Sequence, residues 1–139
     1  MKSTTVRDWM NDLIVFVDPE ATVTEALAVM RRRYIHSLIV SKTESSPDYG
    51  ILTSTDICDK IVAQDRNPSE LKVREVMNSP LIVVPETLGL KECAQIMREK
   101  KIHHLPVVNA GGALVGMVSD TDFLVVAEAM GRAPGERIV

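Results

Sequence analysis

Aromatic side chains are scarce in this 139-residue chain, which has one Trp, two Tyr and two Phe. So few rings leave little material for the stacking platforms that hold single-stranded nucleic acid. Basic charge is scarce as well: 16 Lys and Arg stand against 19 Asp and Glu, for a net charge of −3. A polyanion-binding domain would be strongly basic, so nucleic acid is excluded as an expected partner. Cysteine is limited to Cys58 and Cys93, far apart and with no C-x-x-C pair. That spacing excludes a disulfide scaffold, and the two read as reduced core thiols with no metal role. No apolar run approaches the roughly 20 residues of a membrane span, and Met1 to Asp12 lacks the basic-then-apolar order of a signal peptide. The expected address is the cytoplasm, with no membrane partner. A Ser/His/Asp order, a Walker loop, a G-x-G-x-x-G and an H-E-x-x-H are all missing, so no enzyme is expected. What the chain does have is 45% apolar residues, enough for a core.

It also has a duplication. Sliding the sequence by 67 positions pairs Val6-Arg7-Asp8-Trp9-Met10-Asn11 with Val73-Arg74-Glu75-Val76-Met77-Asn78, and Ile35-His36-Ser37-Leu38 with Ile102-His103-His104-Leu105. From Val6 to Val40 the register is gapless and 12 of 35 positions are identical, where average composition predicts about two. One residue is lost in the loop Lys42 to Tyr49, and Gly50 to Asp56 then pairs with Gly116 to Asp122 at a shift of 66.

Each copy reads as βαββα. A short apolar run, Ile14 to Val17 or Leu81 to Val84, ends near a proline as a strand would. A helix follows: Val23, Ala26, Leu27 and Met30 fall at i, i+3, i+4 and i+7, as do Leu90, Cys93, Ala94 and Met97. Thr22 with Glu25 fits a capping box, and Gly89 at the matching place implies that the second helix does without one. Two strands come next, Leu38 to Val40 with Ile51 to Thr53, and Leu105 to Val108 with Leu114 to Ser119. The second pair is joined by the tight turn Asn109-Ala110-Gly111-Gly112. Closing helices are expected over Thr55 to Gln64 and Thr121 to Met130. The domain plan is therefore repeat 1 over 1–64, a polar linker over 65–72, repeat 2 over 73–130 and a tail over 131–139, whose Gly and Pro repeat the breaker chemistry of the linker. The Met1 start and short tail read as a stand-alone chain. A unit of about 60 residues buries too little surface alone, so the copies are expected to pack through their sheets with pseudo-twofold symmetry.

The sharpest local pattern is Gly-apolar-apolar-Thr/Ser-x-Thr-Asp, at Gly50 to Asp56 and Gly116 to Asp122, where a strand turns into a helix. One reading is a helix cap: Thr53 and Ser119 accept backbone N–H bonds, and Asp56 and Asp122 complete the box. The other is a ligand corner: unpaired N–H donors and the hydroxyls of Thr53, Ser54 and Thr55 suit a phosphate, while the aspartate can grip a ribose diol. The two are compatible. His36 and His103 fall in register before a central strand, and His104 stands where Ser37 does. As phosphate partners they would gain charge beside an anion; as strand-edge residues they would bond to backbone. His103 and His104 point to opposite faces and should not share a metal ion. Arg31-Arg32-Arg33, which ends the first helix, reads as a favourable pairing with the helix dipole.

These residues closely resemble the CBS domain, named after cystathionine β-synthase, in its tandem form, the Bateman module. Both copies carry the family's V-x-x-V/W-M opening, its I-H-x-L/P-V strand and its G-h-h-T/S-x-x-D corner, and the resemblance covers about Val6 to Met130. It implies an α/β (α+β) fold of two βαββα repeats, and clefts between the copies that bind AMP, ADP, ATP or S-adenosylmethionine as a regulatory ligand. It also implies a homodimer that signals to a partner not yet known, and no required cofactor. Carried across, one cleft takes Thr53, Ser54, Thr55 and Asp56 with Asn78, Ile82, His103 and His104. The other takes Ser119, Thr121 and Asp122 with Asn11, Val15 and His36. Thr55 and Thr121 stand where many relatives have arginine, which lowers the expected affinity for triphosphate; Asn11 and Asn78 stand where threonine is common, so ribose contacts are a firmer expectation than adenine contacts. The first cleft is favoured because Ser54 replaces the carboxylate of Asp120. The alternative is a ligand-independent oligomerisation or protein-interaction module whose corners are only caps.

Overall fold

The computed structural model describes residues 4–131. In chain order the elements are α1 (Val6–Trp9), β1 (Phe16–Val17), α2 (Val23–Arg33), β2 (Ser37–Val40), β3 (Gly50–Thr53), α3 (Ser54–Ile57), β4 (Val84–Pro85), α4 (Leu90–Lys100), β5 (His104–Val108), β6 (Leu114–Ser119) and α5 (Asp122–Gly131). A π-helical stretch, Cys58–Val62, prolongs α3, and single 3-10 turns lie at Pro68–Glu70 and Val73–Glu75.

The chain forms two compact units, one from Ile14 to Ile82 and the other joining the residues up to Leu13 to those from Val83 onward. Each has a three-stranded sheet, in the orders β1-β2-β3 and β4-β5-β6, with the first pair parallel and the second antiparallel. The units do not follow the two copies along the chain, because each copy's opening segment is built into the other copy's sheet. Asn78 exchanges two backbone bonds with Ile51 at 2.9 Å, and Asn11 pairs in the same way with Met117. The corner glycines permit this approach. A Cβ on Gly50 would lie 2.6 Å from Met77 Sδ and 3.1 Å from Asn78 O, and one on Gly116 would lie 2.5 Å from Met10 Sδ and 2.9 Å from Asn11 O. Glu20 ties down one opening segment by ion pairs at 2.9 Å to Lys72 and Arg74. The hydrogen bond from Lys72 leads in holding its carboxyl below the ordinary value.

The helical periodicity is realised. Val23, Ala26 and Met30 of α2 are buried in one core, and Leu90, Cys93 and Met97 of α4 are buried too. Thr22 and Glu25 form the capping box, Glu25 N donating to Thr22 Oγ1 at 3.1 Å, while Gly89 starts α4 with no side-chain cap. The turn 109–112 is held by Asn109 Oδ1, which accepts from Gly111 N and Ala113 N at 3.0 Å, and by Gly112 at φ 82°.

Three expectations are corrected. The strands expected over Ile14–Val17 and Leu81–Val84 pair only over Phe16–Val17 and Val84–Pro85. Ile39 N still donates to Val15 O, so the chain approaches as a strand, but only two residues complete each ladder. The first closing helix is not uniform: Ala63 N reaches back five residues to Cys58 O, which widens its last turn. Of the two thiols only Cys93 lies in a core; Cys58 is exposed on the π-helical stretch. Of the tail expected over 131–139, all but Gly131 lies outside the described residues. Among the described residues no helix is long and apolar enough to cross a membrane.

Candidate functional site

The two strand-to-helix corners share one contact, in which the residue that ends the strand donates to the aspartate three residues on. Thr53 N and Oγ1 donate to Asp56 Oδ2 at 2.9 and 3.0 Å, and Asp56 N donates to Thr53 Oγ1 at 3.4 Å. Ser119 N and Oγ donate to Asp122 Oδ2 at 2.8 and 3.2 Å, and Thr121 Oγ1 lies 2.9 Å from Ser119 Oγ. The capping reading holds in full at Thr53 and Asp56; at the second corner the aspartate half of the box is formed, with Ser119 N and Oγ both donating to Asp122. This leaves one carboxylate oxygen, Oδ1, to be accounted for in each.

At Asp56 that oxygen is taken. Asn78 Nδ2 donates to Oδ1 and Oδ2 at 3.0 and 3.2 Å, and Lys60 Nζ lies 3.0 Å from Oδ1. Lys60 also donates to Val76 O at 2.7 Å and to Asn78 Oδ1 at 3.2 Å. Five contacts from four donor groups fill a carboxylate with about four acceptor positions, and Asp56 is 5% exposed, the one buried charged residue among those described. Lysine at i+4 from the aspartate is the residue that sequence reasoning missed; its spacing on one helical face was the available signal.

At Asp122 the situation differs. Val126 occupies the position that matches Lys60, and Asn11, the counterpart of Asn78, accepts from Leu13 N at 2.8 Å through its Oδ1. Among the described residues Asp122 Oδ1 receives no hydrogen bond or ion pair, and the side chain is half-buried rather than buried. One oxygen is thus fixed by the cap and the other is open to a ligand.

The histidines keep their register in space. Ser54 N donates to His36 O at 2.9 Å and Asp120 N to His103 O at 3.0 Å, so each histidine is tied by its backbone to its corner. Each lines a shallow pocket, of about 520 Å³ beside Arg31 and Ser54 and about 430 Å³ beside Arg98 and Asp120. His103 Nδ1 lies 3.0 Å from Asp120 Oδ2, an exposed pair that Ser54 cannot form with His36. His104 is half-buried at the start of β5. The structure thus brings Thr53, Asp56 and Asn78 together in one unit, and Asn11 beside the strand that ends at Ser119 in the other. Ile82 is exposed at the end of the first unit, and Val15 packs on that unit's core. His103 and His104 belong to the unit of Asp122, and Val15 and His36 to the unit of Asp56.

Comparison with known proteins gives a consistent result. A family model described as the CBS domain matches residues 6–63 and again 73–128. CBS domain-containing protein YhcV of Bacillus subtilis is 31% identical over 120 residues, covering 86% of this chain and 83% of the relative. An uncharacterized protein of Methanopyrus kandleri is 32% identical over 126 residues, 91% of this chain; the chain spans 64% of that relative's length. Among solved structures, the hexameric CBS-CP12 protein from bloom-forming cyanobacteria superposes with a TM-score of 0.86 at 28% identity, covering 99% of this chain and 75% of that one. A putative signal-transduction protein with CBS domains from Burkholderia ambifaria gives 0.82 at 28%, covering 96% and 100%. A CBS domain pair in complex with 5′-methylthioadenosine and S-adenosyl-L-methionine shares the fold, at a TM-score of 0.77 and 24% identity, with 91% and 98% coverage.

Proposed function

Because the chain belongs to the CBS-domain family, we propose that it is a non-catalytic regulatory module that binds an adenosine-containing ligand at the Ser119–Asp122 corner. The observation that carries this reading is the open Oδ1 of Asp122. A ribose diol needs an acceptor with a free lone pair; Asp122 keeps one, while Asp56 has given all of its own to Asn78 and Lys60. Carboxylate-to-hydroxyl bonds are charge-assisted and stronger than neutral ones. Counting charges around the corners favours the Thr53–Asp56 site, where Ser54 replaces Asp120. Accounting for hydrogen bonds reverses that preference, because a carboxylate with no acceptor left cannot hold a sugar whatever surrounds it. In this reading Asp56 is a structural residue, and Thr53 caps the helix that opens at Ser54 and Thr55 and is prolonged by the π-helical stretch carrying Lys60. Thr121 supplies a hydroxyl beside the ligand, and the exposed His103 stands at the same corner, its backbone carbonyl accepting from Asp120 N.

AMP, ADP, ATP and S-adenosylmethionine are the ligands to try, since adenosine is common to them and to the complex cited above. Calorimetric titration of each into the protein is expected to give saturable heat with at least one at sub-millimolar concentration. Absence of heat with all four would overturn ligand sensing. The reading then left is a module for assembly alone, and one observation favours assembly in either case: Leu124 and Val125 of α5 are 70% and 51% exposed. A homodimer is our proposal for the assembled state, and light scattering of the eluted protein distinguishes it from a hexamer or a monomer.

A further inference from the structure

We propose, on the reading of the Ser119–Asp122 corner given above, that Leu13 is its positioning residue: the backbone N–H of Leu13 holds the side chain of Asn11 outward and so keeps Asp122 Oδ1 open to the ligand. The two asparagines meet their corners on matched backbone. Asn78 exchanges bonds of 2.9 Å with Ile51, and Asn11 exchanges bonds of 2.9 and 2.8 Å with Met117. From that place Asn78 Nδ2 reaches both oxygens of Asp56, at 3.0 and 3.2 Å. The same side chain on the same scaffold has the length to reach Asp122, yet Asn11 turns its amide oxygen to Leu13 N at 2.8 Å.

The cause lies two residues along. Asn78-Ser79-Pro80 aligns with Asn11-Asp12-Leu13 in the gapless register of the repeat. Proline has no N–H, so position 80 cannot draw the Asn78 oxygen outward, and Lys60 Nζ donates to that oxygen at 3.2 Å from the other side. Leu13 keeps its N–H, and an asparagine bonded to the backbone two residues on is a favoured local arrangement. Val126 stands in place of Lys60, so the cation that fixes Asn78 has no counterpart at this position. The Asn11 carboxamide thus has two partners to choose between, Leu13 N and Asp122 Oδ1, and only the second choice blocks a ribose. A bond to a carboxylate is charge-assisted and stronger than a neutral one. An Asn11 released from Leu13 therefore closes on Asp122 and competes with the ligand for its free oxygen, and apparent affinity falls with the share of molecules left open. Leu13 is 52% exposed, so proline there removes this bond without entering a core.

Leu13→Pro tests this, first in the ligand-free protein. The side-chain amide signals of Asn11 in a proton–nitrogen correlation spectrum are expected to move in Leu13→Pro and to lose that shift when Asp122→Ala is added. Titration of the tightest of AMP, ADP, ATP and S-adenosylmethionine should then give a Kd about tenfold or more higher for Leu13→Pro than for the wild type. Leu13→Pro/Asn11→Ala should bind about threefold or more tighter than Leu13→Pro, because the competing amide is gone. Unmoved Asn11 signals in Leu13→Pro would overturn the proposal whether or not any ligand binds. Moved signals with no heat from any of the four would uphold the contact between Asn11 and Asp122 and overturn the ligand reading instead. A loss of affinity that Asn11→Ala does not rescue would also overturn the proposal, since the proline would then act on the fold and not through Asn11. If Leu13→Pro does not fold, Asn11→Ala decides: the Leu13 amide hydrogen should exchange about threefold faster or more than in the wild type, and equal rates would refute the bond on which the positioning depends.

Discussion

Asp56 accepts from Thr53, Asn78 and Lys60, and removing any one donor leaves a buried anion short of a partner. Lys60→Met keeps the aliphatic stem and deletes the charge, so it should lower stability by about 1–3 kcal/mol, read as a drop in the urea midpoint. Val126→Met at the matching position of the other copy should change it by much less, since no carboxylate depends on that residue. The thiols give a second residue-scale test. Burial pushes the Cys93 thiol up to about 11, so it stays protonated and unreactive at neutral pH, whereas Cys58 is exposed. A thiol-specific reagent at pH 8 should label Cys58 alone in the native protein and both cysteines in denaturant. Native labelling of Cys93 would show that the core around α4 opens readily.

Helices were the most legible elements in the sequence, because their apolar faces repeat at helical spacing and the Thr22–Glu25 box marks a start. Strand existence was legible too, but not strand length: Ile14 and Leu81 are as apolar as strand residues, yet whether a ladder forms depends on a neighbour that periodicity cannot show. The π-helical stretch Cys58–Val62 left no sequence signal, since backbone hydrogen-bond register does not alter side-chain pattern within one turn. The exchange of opening segments was also hidden, although Gly50 and Gly116 are its trace. Gly116→Ala would push a methyl group against Met10 Sδ and Asn11 O. It is expected to cost about 1–3 kcal/mol and to loosen Asn11 from β6, seen as faster exchange at Asn11 and Met117. Thr22→Ala removes only the cap and should cost about 1 kcal/mol. A smaller effect for Gly116→Ala than for Thr22→Ala would contradict the close approach drawn here.

On the scale of the molecule, the duplicated chain uses one scaffold for two purposes. One copy's aspartate is built into the structure and the other's is left with a free oxygen, a difference set by Lys60 against Val126 and by where Asn78 and Asn11 turn their side chains. The corner motif itself could be read from the sequence, but which corner is open could not, because that depends on donors 4 and 22 residues away meeting at Asp56. The measurement that tests this most directly is titration of the tightest of the four adenosine ligands into wild type, Asp122→Asn and Asp56→Asn, each first shown to be folded by circular dichroism. Losing a charge-assisted pair to the ribose should raise Kd about tenfold or more for Asp122→Asn, with less than about a threefold change for Asp56→Asn. A greater loss of affinity in Asp56→Asn than in Asp122→Asn would contradict the account.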